Sequence, residues 1–163
     1  MSERRVLFVT EGWNDEPRML KAMHRIMMGT KPENIFVFGA SVHQFLRRMF
    51  VDDEIDENLD LVSVLMEDAD EEQVRVLSQD FSDVYLVFDM DPQDSIYDDS
   101  RLVKAMKFFN DSTGNGKLYL NYPMMQSYRH LVGYMDISFL CRKVTLNDCK
   151  DYKHLVLTSA RPV

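Results

Sequence analysis

The feature that most constrains this chain is the run Val84-Tyr85-Leu86-Val87-Phe88, which ends abruptly in Asp89-Met90-Asp91. A strand apolar at consecutive positions is buried on both faces, as in a central parallel strand covered by helices. The two acids then stand at its carboxyl end, where open α/β sheets receive their ligands. A second run of the same form, Val6-Leu7-Phe8-Val9-Thr10, ends in Glu11-Gly12. The reading is that these two strand ends lie side by side and hold a metal between them.

The rest of the chain alternates in a way that suits such a sheet. Arg4–Thr10 reads as a first strand. Asp15–Met28 reads as a helix, with Pro17 in its first turn, where no N–H is needed, and a buried stripe of Met19, Leu20, Met23 and Met27. Gly29-Thr30-Lys31-Pro32 ends that helix. A short strand over Asn34–Phe38 precedes a helix from Val42 to about Phe50, with Ser41 as N-cap. Leu59–Met66 fits strand or helix, and Glu71–Gln79 fits a short helix. The central strand spans Asp83–Phe88. A helix over Arg101–Phe109 turns Leu102, Val103, Met106 and Phe109 inward. Lys117–Leu120 forms a further strand, Pro123 opens a helix through His130, and Ile137–Val144 and Tyr152–Leu157 are later helical or terminal elements. Strand and helix in alternation predict an α/β sandwich with a mostly parallel central sheet flanked by helices. We read one domain, with its core over about 1–122 and a C-terminal extension over about 123–163.

Charge needs a closer look than its total. The net charge is −8, but 11 acids and no Lys or Arg fall between Asp52 and Glu72, leaving 16 acids against 19 bases elsewhere. The overall acidity therefore does not exclude a nucleic-acid partner. Leu59, Leu61, Val62, Val64 and Leu65 interrupt the acidic segment, so it reads as a solvated face rather than a tail. No apolar run approaches the roughly 20 residues of a membrane span, and the start of the chain lacks the pattern of a signal peptide. The expectation is a cytoplasmic protein whose two cysteines, Cys141 and Cys149, stay reduced.

The chemistry rests on Glu11, Asp89 and Asp91. Residues i and i+2 of an extended chain point the same way, so Asp89 and Asp91 converge if the strand persists to Asp91. Three adjacent carboxylates without fixed cations either keep a proton or take a divalent ion. Hard oxygen ligands favour Mg²⁺ or Mn²⁺, with Asp15 and Asp94 either supporting the ligands around the ion or forming a second metal position. Such an ion activates water and stabilises charge on a phosphoryl group. If Glu11 is left unligated, it serves as general acid or base. Lys117, Arg129 and His130 are candidates for phosphate contact. Gly114-Asn115-Gly116-Lys117 lacks the upstream glycine and the following Ser or Thr of a phosphate loop, and reads as a turn.

Glu11-Gly12-Trp13-Asn14-Asp15 after an apolar strand resembles the Glu-Gly-X-X-Asp motif of Toprim domains, and Asp89-Met90-Asp91 resembles their Asp-X-Asp motif. These domains occur in topoisomerases, primases, OLD-family nucleases and small phage-defence nucleases. The resemblance covers about the first 120 residues and implies a Toprim-like, Rossmann-like sandwich. It further implies a Mg-dependent nuclease acting on DNA or RNA, in which Glu11 is a general acid/base or metal ligand and Asp89 and Asp91 bind Mg²⁺. Asp15 matches the motif's last acid, a structural position. The chain departs from primase-like versions in having no glycine soon after Asp91. No tyrosine-nucleophile, zinc-binding or polymerase domain accompanies the motifs, so the expectation is a stand-alone protein nearest to the OLD-like nucleases. One alternative is a non-catalytic Toprim-like module that acts with a protein partner such as an ATPase subunit. A weaker one is a phosphatase of the haloacid-dehalogenase type with Asp89 as nucleophile.

Overall fold

The structure is a computed structural model and describes residues 5–28, 34–131, 133 and 136–159. Its strands are β1 (Val6–Thr10), β2 (Asn34–Val37), β3 (Phe50–Val51), β4 (Glu54–Ile55), β5 (Asp83–Asp89), β6 (Asn110–Asp111) and β7 (Gly116–Asn121). Its α-helices are α1 (Asp15–Met28), α2 (Val42–Met49), α3 (Leu61–Met66), α4 (Glu71–Leu77), α5 (Asp99–Phe108), α6 (Leu146–Cys149) and α7 (Tyr152–Ser159). Two 3₁₀ helices cover Met125–His130 and Ile137–Cys141.

Five strands form one sheet in the order β2-β1-β5-β7-β6. All pair in parallel except β6, which runs antiparallel to β7. The fold is thus α/β with a five-strand, mostly parallel sheet flanked by helices, and the two apolar runs are its neighbouring strands β1 and β5. Strand alternation divides their side chains. Leu7, Val9, Leu86, Phe88 and Leu118 enter one buried core with residues of α2, α3, α4 and α5. In that core Phe45 stacks on Phe88, with ring centroids 5.0 Å apart, and Phe38 meets both edge-on. Phe8 and Thr10 of β1, Tyr85, Val87 and Asp89 of β5, and Lys117, Tyr119 and Asn121 of β7 fall on the other face. A lining of Phe8, Met19, Leu20, Met23, Tyr85 and Tyr119 marks α1 as the helix packed on that face.

Caps set the helix starts. Ser41 Oγ accepts from the Gln44 N–H at the start of α2, and Asp98 accepts from the Arg101 N–H at the start of α5. At α4, Asp70 and Gln73 bond each other's backbone N–H in a capping box.

Several expectations need correction. The stretch Leu59–Met66, which fits either strand or helix in sequence, forms the helix Leu61–Met66, capped by Asp60. Met23 is 48% exposed, because α1 has sheet on one side only, and the Met27 side chain and the stop at Gly29–Pro32 lie outside the described residues. On α5 the buried positions are Leu102 and Ala105, followed by Phe109 at the cap, while Val103 and Met106 are exposed. The small Ala105 permits close approach to the core, which rotates the buried stripe away from the larger apolar residues. The acidic segment contains a hairpin: β3 and β4 pair antiparallel across Asp52-Asp53, both at positive φ (49° and 61°), the conformation of a two-residue hairpin turn. Arg101 and Lys104 of α5 pair with Asp53 and Glu54, each at 2.6 Å, and Arg48 pairs with Asp68. The remainder of the chain builds a small second cluster from Met124, Tyr152 and Val156 beside the carboxyl end of β7. Cys141 is exposed and Cys149 buried, both as free thiols.

Candidate active site

Glu11 and Asp89 meet at the carboxyl ends of β1 and β5. Parallel pairing sets Thr10 opposite Val87, so the next steps of both strands arrive together. The Glu11 backbone carbonyl accepts from the Gly39 N–H at 3.0 Å, which anchors the residue to the chain leaving β2. Its side-chain Oε2 accepts from the Asp89 N–H at 3.2 Å. Two acids 78 positions apart in sequence are therefore joined directly.

Asp89 is 5% exposed, and its carboxylate is held from the far side. Oδ1 accepts from the Met125 N–H at 2.7 Å and from Asn121 Nδ2 at 3.2 Å. The chain reaches that position because Asn121 ends β7 opposite Asp89, and the cis Tyr122–Pro123 bond follows directly. Both bonds fall on one oxygen, which leaves Oδ2 available to a ligand.

Burial and like charge raise both acids. The Glu11 carboxyl is pushed up to about 8, first by burial, then by the charges of Asp89, Asp91 and Glu16, against the lowering effect of the Asp89 N–H. Asp89 is pushed up to about 7, mainly by burial, although its bonds from Met125 and Asn121 work the other way. The folded protein thus holds protons in this site at neutral pH, unless a cation supplies the missing positive charge.

Asp91 departs from its expected geometry. The strand ends at Asp89, and Asp91 adopts a left-handed φ of 43°. Its N–H bonds the Pro123 carbonyl at 3.1 Å, and Gln93 Nε2 donates to its Oδ1 at 3.0 Å. The i, i+2 argument does not apply to it, yet its charge still reaches Glu11 and Asp89. The intervening Met90 carbonyl receives His43 Nε2 at 2.9 Å from the buried face of α2.

The remaining expected residues divide. Asp15 stands in the first turn of α1 and accepts from Gln126 Nε2 at 2.8 Å, next to the site. Asp94 is occupied as an acceptor, from Ser41 Oγ at 3.0 Å and from the Ile96 N–H at 3.0 Å, and so secures the loop after β5 to the cap of α2. Lys117 pairs with Tyr85, four positions back from the Asn121–Asp89 level, or roughly 13 Å along the strands. It is not brought to the carboxylates. Arg129 is exposed and shares a groove of about 340 Å³ with Asp15, Arg18, Met19 and Gln126. His130 bonds Tyr152 at 3.1 Å instead.

Glu16 was not anticipated. It is 7% exposed in the first turn of α1, where the helix dipole favours an anion. A Cβ at Gly12 would stand 2.9 Å from Glu16 Oε2, so the glycine leaves room for that carboxylate. Asn121, Gln126 and the Met125 N–H were also missed. Gln126 Oε1 is buried with no hydrogen-bond partner among the described residues.

The donor set suits a hard divalent ion: carboxylate oxygens, a spare Oδ2 on Asp89, and acids raised first by burial and then by one another's charge. Among the described residues, however, no three His, Cys, Asp or Glu side chains stand in an arrangement that would enclose a metal ion. Any cation held here would use fewer protein ligands and keep several waters, as Mg²⁺ does. No helix among the described residues is long and apolar enough to cross a membrane. No family model, curated protein or solved structure matches the chain.

Proposed function

We propose that this protein is a Toprim-like, Mg²⁺- or Mn²⁺-dependent nuclease that processes phosphodiesters in DNA or RNA. The observation that carries the reading is the bond between Glu11 and Asp89 across two strand ends, with both carboxyls raised toward neutrality. In this reading Asp89 Oδ2, with Asp91 and Glu16 nearby, holds the cation. The bound ion would activate water and neutralise the phosphoryl oxygens. Glu11 moves the proton: its carboxyl, kept protonated by burial, protonates the leaving oxygen as that P–O bond breaks; water's oxygen forms the new P–O bond, and the proton water gives up to solvent restores the Glu11 carboxyl. The Asp89 N–H orients Glu11, and the Met125 N–H and Asn121 orient Asp89. Arg18 and Arg129 contact backbone phosphates.

The test is cleavage of labelled DNA and RNA with and without Mg²⁺ or Mn²⁺. Metal-dependent cleavage abolished by Glu11→Gln and by Asp89→Asn supports the reading. Cleavage that survives both changes overturns it.

A second reading is a non-catalytic module that acts with a protein partner. It is favoured by the absence, among the described residues, of three metal-ligand side chains in enclosing geometry. An ion-independent complex with no cleavage of any nucleic acid supports it. A stable phosphoaspartate at Asp89 would instead indicate phosphatase chemistry.

A further inference from the structure

The face of the sheet that carries Asp89 also carries a row of aromatic rings. Phe8 and Tyr85 are cross-strand partners on β1 and β5 and stack at 5.5 Å between centroids. Tyr119 on β7 continues the row at 6.2 Å from Tyr85. It is 48% exposed, unusual for a ring on an interior strand. These rings line an open groove of about 520 Å³ with Met19, Met23 and Asn121. Asn121 is the residue that donates to Asp89, so one wall of the groove is a single hydrogen bond from that carboxylate.

Positive charge flanks this groove on a chain that is acidic overall. Arg18 is exposed in the first turn of α1, whereas Lys21 and Arg25 lie on the side of that helix turned away from Met19 and Met23. Arg18 and Arg129 line the adjoining groove, and Met19 borders both. At the far end of the row, Lys117 Nζ lies 5.8 Å from the Tyr119 ring centre. Cations beside exposed π-faces are the means by which proteins hold unpaired nucleotides: the charges follow the backbone and the rings stack the bases. A paired duplex hides its base faces and gains nothing from such rings.

We infer that the groove over Tyr85 and Tyr119 docks single-stranded nucleic acid, with bases against the rings and the backbone along Arg18 and Arg129. This rests on the proposed nuclease reading only for the fate of the strand; the docking itself requires no catalysis. The substrate class of the site is then an unpaired strand, or a duplex end that has opened.

The test uses the Glu11→Gln chain of 163 residues, so that the probe stays intact, and a fluorescein-labelled mixed-sequence 15-mer measured by anisotropy. The single strand is expected to bind at least about tenfold more tightly than the same sequence as duplex. Tyr119→Ala should weaken single-strand binding about 5- to 100-fold, the range for loss of one stacked base. Tyr119→Phe should retain it, because the ring is kept. Arg18→Ala should lower the salt dependence of binding. Equal affinity for single strand and duplex overturns the inference, as does unchanged binding by Tyr119→Ala protein with normal circular dichroism. So does a concentration-dependent dimer that Tyr119→Ala dissociates. Wild-type cleavage of duplex that Tyr119→Ala leaves untouched would end this inference and spare the nuclease reading. Tyr119-dependent single-strand binding without metal-dependent cleavage would do the reverse.

Discussion

The two faces of the central sheet are built from the same strands and serve opposite ends. On one face Leu86 and Phe88 of β5 and Leu7 and Val9 of β1 are fully enclosed by α2 to α5, with aromatic rings packed edge to face. On the other, the alternate residues Tyr85, Val87 and Asp89 meet α1 and an open groove. Alternation with a period of two lets one strand be core and site at once. The difference teaches where stability and chemistry separate: apolar enclosure supplies the first, and incomplete cover leaves room for the second. It also explains why buried acids are tolerated at the strand ends. Asp89 is braced by an N–H and an amide, while Glu11 leans on the Asp89 backbone.

Paired truncations would break this comparison most directly. Phe88→Ala should cost about 3–5 kcal/mol, as large aromatic deletions in packed cores do, and lower the melting temperature by roughly 10 °C. Tyr119→Ala, on the open face, should cost under about 1 kcal/mol. Equal losses in thermal melts would mean that both faces are core.

Next in size is chemistry. Glu11→Gln should reduce metal-dependent cleavage about 10³-fold, in keeping with loss of a general acid, while leaving the melting temperature at neutral pH unchanged or higher. Single-turnover assays check the first part and calorimetry the second.

A smaller effect sharpens the account of the buried acids. Native Glu11 and Asp89 bind protons that the unfolded chain releases, with values of about 8 and about 7 against ordinary carboxyl values near 4.5 and 3.8. Their contribution to stability is therefore fully present below the ordinary values and lost as pH rises through the folded ones. The metal-free protein should melt lower at pH 8 than at pH 5, and Glu11→Gln should flatten that slope. Mg²⁺ or Mn²⁺ at pH 8 should restore melting temperature in wild type and not in Asp89→Asn.

Smallest is Ser41→Ala, which removes both the α2 cap and a bond to Asp94. It should cost about 1 kcal/mol, seen as a shift in denaturant midpoint, with cleavage retained.

Much of this frame was legible in the chain. The apolar runs ending in Glu11 and Asp89 give neighbouring parallel strands, and Ser41 caps α2 as its residue type suggests. What escaped was whatever depends on a third element. Glu16, Asn121 and Gln126 look like ordinary polar residues until α1, β7 and the 3₁₀ helix converge on Asp89. Asp91 resembles a strand residue, but the chain turns at Met90, whose N–H and carbonyl bond Asn121 and His43. The hairpin at Asp52-Asp53 escaped because its turn lacks glycine. Helix faces were misjudged where size, rather than polarity, decides contact, as with Ala105 against Met106.

The central claim is that Asp89 holds a cation beside the Glu11 carboxyl. Crystals soaked in Mn²⁺ and measured near the manganese absorption edge test it most directly. The account predicts an anomalous peak against Asp89 Oδ2, next to the Glu11 carboxyl. No peak at Asp89, at a concentration of Mn²⁺ that supports cleavage, would contradict it.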